Sequence, residues 1–546
     1  MLTAIELENF KAFGERNRIE LAPITLIFGE NSAGKSSILQ ALNLLKQTRE
    51  TRDKGALLLP RTDGGIVELG GFQELVFDHD LKRNVSIRVD IMADQQRGRP
   101  RKAQLLPEQP DSIGFEVGFT RPSEADEVQL KALTLHSTAA SGKVAEFEPI
   151  ELSNDELRRV ARDAQQMLRS HRPIRASEVR AAKCKSLTND AQFWSEIFER
   201  TKRRSGKIAE ELRQLQSDER EPEQQRLLFT ESEEEQREWT AQVDEAITFY
   251  ESDFSGEDFV NRMLRAELET VVALDGFVPI PIRHRESGGL AELETFRRFG
   301  PSRIRLRELT LDLMSYSVEC GRKFDIALEN IYPMGPFRRP PERWYIFTGT
   351  SPQDVGYRGD LLPDLLFRRP EIVDEANQWL DKLEIGYHIK VQSVGDRSRD
   401  LFEVRLIDTR RGNDVDVALS DVGFGISQIL PFIVQALAGE RQTITIEQPE
   451  VHIHPRLQAD LGDLLAATVQ APRGHRFIIE THSEHLVLRM QKLVRHGMLR
   501  PNDVSILYVS RGENGSKARR LRLDDEGDFI DDWPGGFFPE RLRELT

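Results

Sequence analysis

The sequence predicts an α/β fold that is assembled from the two ends of the chain. A glycine-rich turn at 29–36 joins a strand-like apolar run to a helix-like segment, which is the context that a phosphate-binding loop requires. A second region with strand and helix patterns begins near residue 400. The length of chain between the phosphate loop and this region far exceeds an ordinary connection between a strand and the next helix, so an insertion must lie between the two parts.

Changes in pattern divide the chain into four segments. Residues 1–150 read as β-rich with one helix and form a first lobe. Residues 151–300 are rich in Glu, Arg, Gln and Leu and are predicted to be a helical insertion. Residues 301–500 form a second α/β lobe, and residues 501–546 form a small C-terminal extension that is predicted to be β-rich.

Composition limits the compartments and the kinds of partner that are expected for this protein. The chain of 546 residues has a formal net charge of -15, which disfavours nonspecific binding to nucleic acid unless basic side chains are segregated. The only two cysteines are Cys184 and Cys320, so a disulfide framework is not expected. No apolar run of about 18 residues or secretory signal is present. We therefore expect a cytoplasmic protein without a membrane partner.

The motif GxxxxGK[ST] is matched at every fixed position of the turn at 29–36. Glycines let backbone N–H groups converge on phosphate oxygens, and the following helix adds its dipole. Lys35 is predicted to reach the β- and γ-phosphates of ATP, and the Ser36 hydroxyl to ligate Mg²⁺. The predicted nucleotide-binding residues here are Gly29, Asn31, Ser32, Ala33, Gly34, Lys35, Ser36 and Ser37.

Three features follow in the second lobe. A Gly-rich turn at 420–425 opens a helix whose N-terminus can receive an anion. The apolar strand 443–446 ends at Glu447, a carboxylate that can hold Mg²⁺ directly or through water. The strand 477–479 leads to His482.

The order of these features resembles that of ABC ATPases, which are phosphate-loop NTPases. The segment Leu7-Glu8-Asn9-Phe10-Lys11-Ala12-Phe13 resembles the N-terminus of the SMC/RecF group, and the Glu-x-Pro-Glu-x-His-x-His-Pro form of 447–455 resembles the OLD-type branch. The C-terminal tail with Trp-Pro-Gly-Gly-Phe-Phe looks like an extension on prokaryotic relatives of OLD proteins. That branch includes Septu-type and retron-associated ATPases of anti-phage defence. The resemblance implies an ABC-type ATPase head with a long helical insertion.

The resemblance also implies roles for single residues and partners. Glu447 would hold Mg²⁺, and His482 would sense the γ-phosphate of ATP. The signature turn would contact nucleotide on a second copy of the chain in a head-to-head dimer, and Gln73 is a candidate for the γ-phosphate or Mg²⁺ contact of the Q-loop. The predicted signature residues are Gly423, Gly425, Ser427 and Gln428.

One position departs from the pattern of hydrolytic ABC heads. Gln448 stands where a glutamate usually polarises the attacking water, and an amide cannot accept a proton as a carboxylate can. Three outcomes stay open. Hydrolysis is slow and the head acts as an ATP-gated clamp, or Glu450 substitutes as the base, or positioning and Mg²⁺ alone suffice.

Three functions compete at this stage. The first is a defence-complex ATPase whose dimerisation controls an effector, most simply a nuclease on another chain, because about 60 residues after His482 are too few for a Toprim nuclease domain. The second is a repair or recombination ATPase that binds DNA through the basic stretch 151–217, which is followed by an acidic stretch at 218–258. The third is a hydrolase that uses His452, His454, His482 and Glu450; helix capping and packing is the simpler interpretation of the first two histidines.

Overall fold

The computed structural model describes most of the chain. It covers residues 1–51, 56–92, 112–123, 127–137, 142–168, 178–216, 240–241, 243–248, 256–257, 260–261, 270–280, 301–347, 349, 351–394, 400–410 and 415–534. The strands are β1 (Leu2–Glu8), β2 (Asn17–Glu20), β3 (Ile24–Gly29), β4 (Val85–Met92), β5 (Ser112–Thr120), β6 (Gln129–Ser137), β7 (Gly142–Ile150), β8 (Val179–Leu187), β9 (Val271–Asp275), β10 (Val278–Ile280), β11 (Ile331–Met334), β12 (Tyr345–Ile346), β13 (Tyr387–Ser393), β14 (Leu401–Asp408), β15 (Val415–Ala418), β16 (Thr443–Glu447), β17 (Arg476–Glu480), β18 (Val504–Gly512) and β19 (Gly515–Leu521). The helices are α1 (Lys35–Glu50), α2 (Phe72–Leu75), α3 (Asn154–Leu168), α4 (Ala191–Gln216), α5 (Pro301–Glu329), α6 (Leu362–Arg368), α7 (Pro370–Lys382), α8 (Phe424–Leu437), α9 (Pro455–Val469) and α10 (Glu484–Arg495).

A six-stranded sheet combines strands from both ends of the chain. Its order is β11-β16-β17-β3-β18-β19, and every pair is parallel except the last. The central strands β3 and β17 are almost continuously apolar and buried, as expected where helices cover both faces of a parallel sheet. The predicted α/β fold, with its ATPase head assembled from N- and C-terminal lobes, is confirmed.

A nine-stranded antiparallel sheet packs beside this core. Its order is β10-β9-β8-β7-β6-β5-β4-β1-β2, and the apolar side chains of β4 alternate inward as the pleat requires. The sheet continues across residue 150, because β7 pairs with β8. The segment 151–300 was expected to be helical, and that expectation is wrong in one respect. It contains α3 and α4, but it also supplies β8, β9 and β10 to the sheet.

The C-terminal part is built into the core sheet. Strand β18 pairs in parallel with β3, the strand that leads into the phosphate loop, so residues 504–521 complete the ATPase sheet and are not an appendage to it. Trp533 packs edge-on against Phe28 of β3, with a distance of 6.0 Å between ring centroids. The β-rich character of this region was predicted, but its central position was not. The last residues of the predicted tail, 535–546, lie outside the described residues.

The remaining strands form a small antiparallel sheet, β12-β14-β13 with β15 on β14, which packs with α6 and α7. Among the helices that the structure describes, none is long and apolar enough to cross a membrane. The four segment boundaries drawn from the sequence stay a prediction.

Candidate nucleotide site

The phosphate loop needs its glycines for two physical reasons. Gly29 has a φ of +140° and Gly34 a φ of +88°, conformations that L side chains rarely adopt. A Cβ on Gly29 would lie 1.9 Å from the carbonyl oxygen of Val509, and one on Gly34 would lie 2.4 Å from Cβ of Ala12. Strand β18 and the loop at 10–13 therefore press directly against the phosphate loop.

Lys35 begins helix α1 and folds back over the loop. Its Nζ donates hydrogen bonds to the carbonyl oxygens of Gly29 at 3.1 Å and of Glu30 at 2.7 Å. Burial lowers the pKa of Lys35, although Glu480 and Glu30 oppose that shift. A cation held over converging backbone N–H groups at a helix N-terminus is suited to bind phosphate.

An open cleft of about 390 Å³ lies in front of this loop. Five of the eight predicted nucleotide-binding residues of the loop line it, namely Ser32, Gly34, Lys35, Ser36 and Ser37, and their contact with nucleotide stays a prediction. The other lining residues are Lys11, Ala12, Gln40, Glu74, Val76, Asp78, His79 and Glu480. Lys11 belongs to the N-terminal segment 7–13, and its position in the cleft depends on how that loop folds.

Glu447 lies at the end of β16, as predicted, and neighbouring side chains interact with its carboxylate. Burial, and then nearby Glu480, raise the pKa of Glu447 to about 7. The Tyr357 hydroxyl donates a hydrogen bond to its Oε1 at 3.4 Å. Arg338 is buried near Glu447 and Glu450, and burial lowers its pKa to about 10. Neither Tyr357 nor Arg338 was identified in the sequence.

The other predicted catalytic residues cluster at the ends of β16 and β17. The backbone N–H of His482 donates to Oε1 of Glu450 at 2.6 Å, and the backbone N–H of Gln448 donates to the carbonyl oxygen of Glu480 at 2.8 Å. Burial raises the pKa of Glu450; burial, and then Lys35, lower that of His482. Gln448 has a φ of +44°, so the chain turns sharply directly after the strand.

The signature turn opens on a different cleft. Helix α8 begins at Phe424, and Gly423 and Gly425 line a second cleft of about 390 Å³ whose wall also includes His452. Ser427 and Gln428 are buried, and Oε1 of Gln428 accepts a hydrogen bond from the backbone N–H of Arg338 at 3.4 Å. Of the four predicted signature residues, only the glycines line the second cleft, so contact of Ser427 and Gln428 with a second copy stays a prediction.

Two further predictions concern Gln73 and the histidines. Gln73 is exposed on α2 and does not line the nucleotide cleft; its neighbour Glu74 does. The structure therefore does not bring Gln73 to the phosphate loop. His454 caps α9, since its Nδ1 accepts a hydrogen bond from the backbone N–H of Arg456 at 3.3 Å.

Mg²⁺ fits the side chains at this site. No cluster of three or more His, Cys, Asp or Glu side chains suited to a metal occurs in the described part of the chain. Mg²⁺ does not need one, because it is usually held by one or two carboxylates, nucleotide phosphates and water. Glu480 has a buried Oε2 without a hydrogen-bond partner and shares a hydrogen bond with Ser36. Ser36, Glu480 and Glu447 are the residues that would hold the ion, which would neutralise phosphate charge.

Family models match the parts of the chain that build this site. Residues 1–103 and 366–487 match a model described as AAA ATPase domain, and residues 499–546 match a model described as a protein of unknown function, DUF3696. The first match contains the phosphate loop, the signature turn, Glu447 and His482. The site and this match together support a phosphate-loop ATPase fold. No match was found among curated proteins.

Solved structures of SMC heads are distantly similar. The Smc head domain of Pyrococcus furiosus, bound to the C-terminal domain of ScpA, has 13% identity and a TM-score of 0.38, with 100% of this chain and 98% of that chain covered. The SMC head domain from Thermotoga maritima has 9% identity and a TM-score of 0.34, with 96% and 99% covered. A Pyrococcus yayanosii Smc head with coiled coil and joint has 12% identity and a TM-score of 0.37, with 100% and 99% covered.

Proposed function

We propose that this protein is an ATP-operated switch of the cytoplasm whose two copies join head to head around nucleotide. The observation that carries the proposal is the separation of the two clefts. Lys35, Ser36 and Glu480 line one, and Gly423 and Gly425 line the other. A nucleotide bound in the first cleft would contact a signature turn that a second copy supplies, which would make ATP a condition of assembly.

An exposed apolar loop supports a protein partner near this surface. Phe337, Trp344 and Ile346 are 75%, 61% and 73% exposed, which is unusual for side chains of this size. Arg343 fastens the loop to the signature turn through two hydrogen bonds to Asp421, at 2.7 and 3.1 Å. The loop would therefore move with the signature turn and present its apolar side chains according to nucleotide state.

The proposed output is control of an effector, a nuclease made by another chain, in prokaryotic anti-phage defence. The resemblance to OLD-type and Septu-type ATPases supports this role by analogy. Slow hydrolysis suits a switch, because a long-lived ATP state holds the assembled form. Gln448 favours slow turnover, and Glu450 is a constrained substitute because Oε1 already accepts the N–H of His482.

Solution mass tests the switch. Wild-type protein is measured by light scattering without nucleotide and with Mg²⁺ and ATP, beside Lys35→Ala and Trp344→Ser. We expect ATP to double the mass of the wild type, Lys35→Ala to stay unchanged, and Trp344→Ser to bind ATP but assemble weakly. Mass that is independent of ATP in the wild type would contradict the proposal. An unchanged Trp344→Ser would exclude the apolar loop from the interface.

Turnover tests the role of Gln448. Gln448→Glu supplies the missing carboxylate, and a gain of about 10²-fold is the expected order for a general base. Phosphate release is measured for the wild type, Gln448→Glu and Gln448→Ala at saturating ATP. Fast wild-type turnover that is indifferent to Gln448→Ala would contradict slow hydrolysis as the basis of the switch.

A DNA-binding ATPase of the RecF/SMC kind is the second candidate, and helix α4 favours it. Lys202, Arg203 and Lys207 are exposed along this helix. Most of the acidic stretch at 218–258 lies outside the described residues. Binding of DNA that weakens steeply with salt in the wild type, and that is weaker in Arg203→Glu, would support this candidate. Salt-independent or absent binding would leave the defence switch as the better proposal.

A further inference from the structure

Two carboxylates end neighbouring strands, and their distances from the phosphate loop differ. Glu480 ends β17 and pairs in register with Ile27 of β3, the strand of the phosphate loop. Glu447 ends β16 and pairs with Glu480, one strand further away. Because adjacent strands lie about 4.8 Å apart, Glu447 starts roughly twice as far from the phosphate-loop strand as Glu480 does.

Glu480 also makes the contacts that a metal-positioning carboxylate requires. It shares a hydrogen bond with the Ser36 side chain, whose hydroxyl donates, and it lies close enough to Lys35 for electrostatic attraction. It is 4% exposed, yet it lines the nucleotide cleft and its Oε2 has no hydrogen-bond partner. A buried carboxylate oxygen that faces a polar cleft without a partner indicates a missing cation or water.

Glu447 has a different environment. It does not line the nucleotide cleft, and it accepts the hydrogen bond from Tyr357. Arg338 and Lys11 supply positive charge nearby. These neighbours partly compensate the negative charge of Glu447.

We propose that Glu480, rather than Glu447, is the principal carboxylate that positions Ser36 and Mg²⁺ at the bound nucleotide. The inference rests on the proposed ATP binding and names the residue that makes this binding depend on metal. By accepting a hydrogen bond from the Ser36 hydroxyl, Glu480 would leave the lone pairs of the Ser36 oxygen for the ion. Its Oε2, which has no hydrogen-bond partner, would remain for the ion or its water. Glu447 contributes a second carboxylate from the next strand.

The test is the gain in ATP affinity that Mg²⁺ produces. Calorimetric titration with ATP is run in Mg²⁺ and in EDTA for the wild type, Glu480→Gln, Glu480→Asp and Glu447→Gln, with Glu116→Gln as a control outside the site. We expect Glu480→Gln to lose about 10-fold to 100-fold of the Mg²⁺-dependent gain, the usual cost of removing a group that orients a ligand. Glu116→Gln should keep the full gain at a temperature where it remains folded. Glu447→Gln should lose less, and Glu480→Asp should recover part of the gain.

Binding without metal separates this role from a structural one. In EDTA, Glu480→Gln should bind ATP at least as tightly as the wild type, because the substitution removes a negative charge near the phosphates. A full Mg²⁺ gain in Glu480→Gln, or an equal or larger loss in Glu447→Gln, would overturn the inference, as would a wild type that binds ATP without any Mg²⁺ gain. A wild type that binds no ATP would instead overturn the proposed function. Glu480→Asp serves as the test if Glu480→Gln does not fold.

Discussion

Buried glutamates have opposite environments in the two large sheets. In the nine-stranded sheet, Glu116 is 8% exposed and takes part in hydrogen bonds with Arg16, Ser86 and His136, each at 2.7 Å. Burial alone would raise the pKa of Glu116, but these bonds outweigh burial and lower it to about 2. In the six-stranded sheet, burial raises the pKa of Glu480, which is 4% exposed.

The difference separates a structural carboxylate from a functional one. Glu116 has its charge compensated within the chain, so nothing further needs to bind. Glu480 and Glu450 each keep one buried oxygen without a partner, and Glu447 has a pKa of about 7. Native proteins rarely leave buried polar atoms unpaired, so this group of carboxylates supports the proposed binding of a cation.

The largest expected effect is at the phosphate loop. Lys35→Ala removes the cation that would contact the β- and γ-phosphates, and hydrolysis should fall by about 10²–10³-fold, the cost of removing one key electrostatic donor. Lys517→Ala is the matched control, because Lys517 lies in the hairpin next to the loop and pairs with exposed Glu15 at 3.2 Å. Phosphate release assays compare both with the wild type. Equal losses in the two variants would mean that general charge, not the loop, governs activity.

A matched pair of substitutions tests the difference between the buried glutamates of the two sheets. Glu116→Gln should lower the free energy of unfolding by about 2–3 kcal/mol, because Arg16 and His136 lose a charged acceptor. Glu480→Gln should cost little or raise that free energy by about 1 kcal/mol, since it removes a buried and incompletely paired charge. Urea unfolding of the nucleotide-free protein at pH 7.5 measures both. Similar destabilisation by the two variants would remove the distinction between the sheets.

The pH dependence of stability should differ in sign between the two glutamates. The pKa of Glu447 is raised to about 7, so its protonated form stabilises the fold below the unfolded value of about 4.3, and this contribution is lost as pH rises to about 7. The pKa of Glu116 is lowered, so its contribution is lost as pH falls from about 4.3 to about 2. We expect the melting temperature of nucleotide-free protein to fall between pH 5 and 7 by calorimetry, to an extent that is reduced in Glu447→Gln. An identical slope in that variant would contradict the raised pKa.

The smallest expected effect is on a contact between β18 and the phosphate loop. Arg511 of β18 donates to the carbonyl oxygen of Ser32 in the phosphate loop, at 3.3 Å from Nε and 3.0 Å from Nη2. Arg511→Gln should weaken ATP binding by about 2-fold to 10-fold, the equivalent of one or two ordinary hydrogen bonds. Titration with ATP measures it, and exposed Arg519→Gln on β19 is the control. Unchanged affinity would show that β18 supports the loop only through its backbone.

Local patterns were sufficient for the phosphate loop and the strand ends. Gly29 and Gly34 are required by backbone geometry, Lys35 completes the same short motif, Glu447 directly follows an apolar run, and His482 comes shortly after another. The sequence could not reveal Tyr357 and Arg338, because their relation to Glu447 depends on long-range packing. Glu480 had a detectable signal, a carboxylate at the end of an apolar strand, but only the strand order shows its importance.

By itself, the sequence predicted a phosphate loop, a signature turn, a strand that ends at Glu447 and a strand that leads to His482, in an order that resembles an ABC-type head. Their local chemistry is encoded in short segments, where glycine conformation and helix N-termini act over a few ångströms. Only the tertiary structure decided which carboxylate lies next to Ser36, and that β18 completes the sheet beside the phosphate loop. The physical reason is that parallel strands distant in sequence pair side by side, so distances across the sheet follow strand order and not chain order.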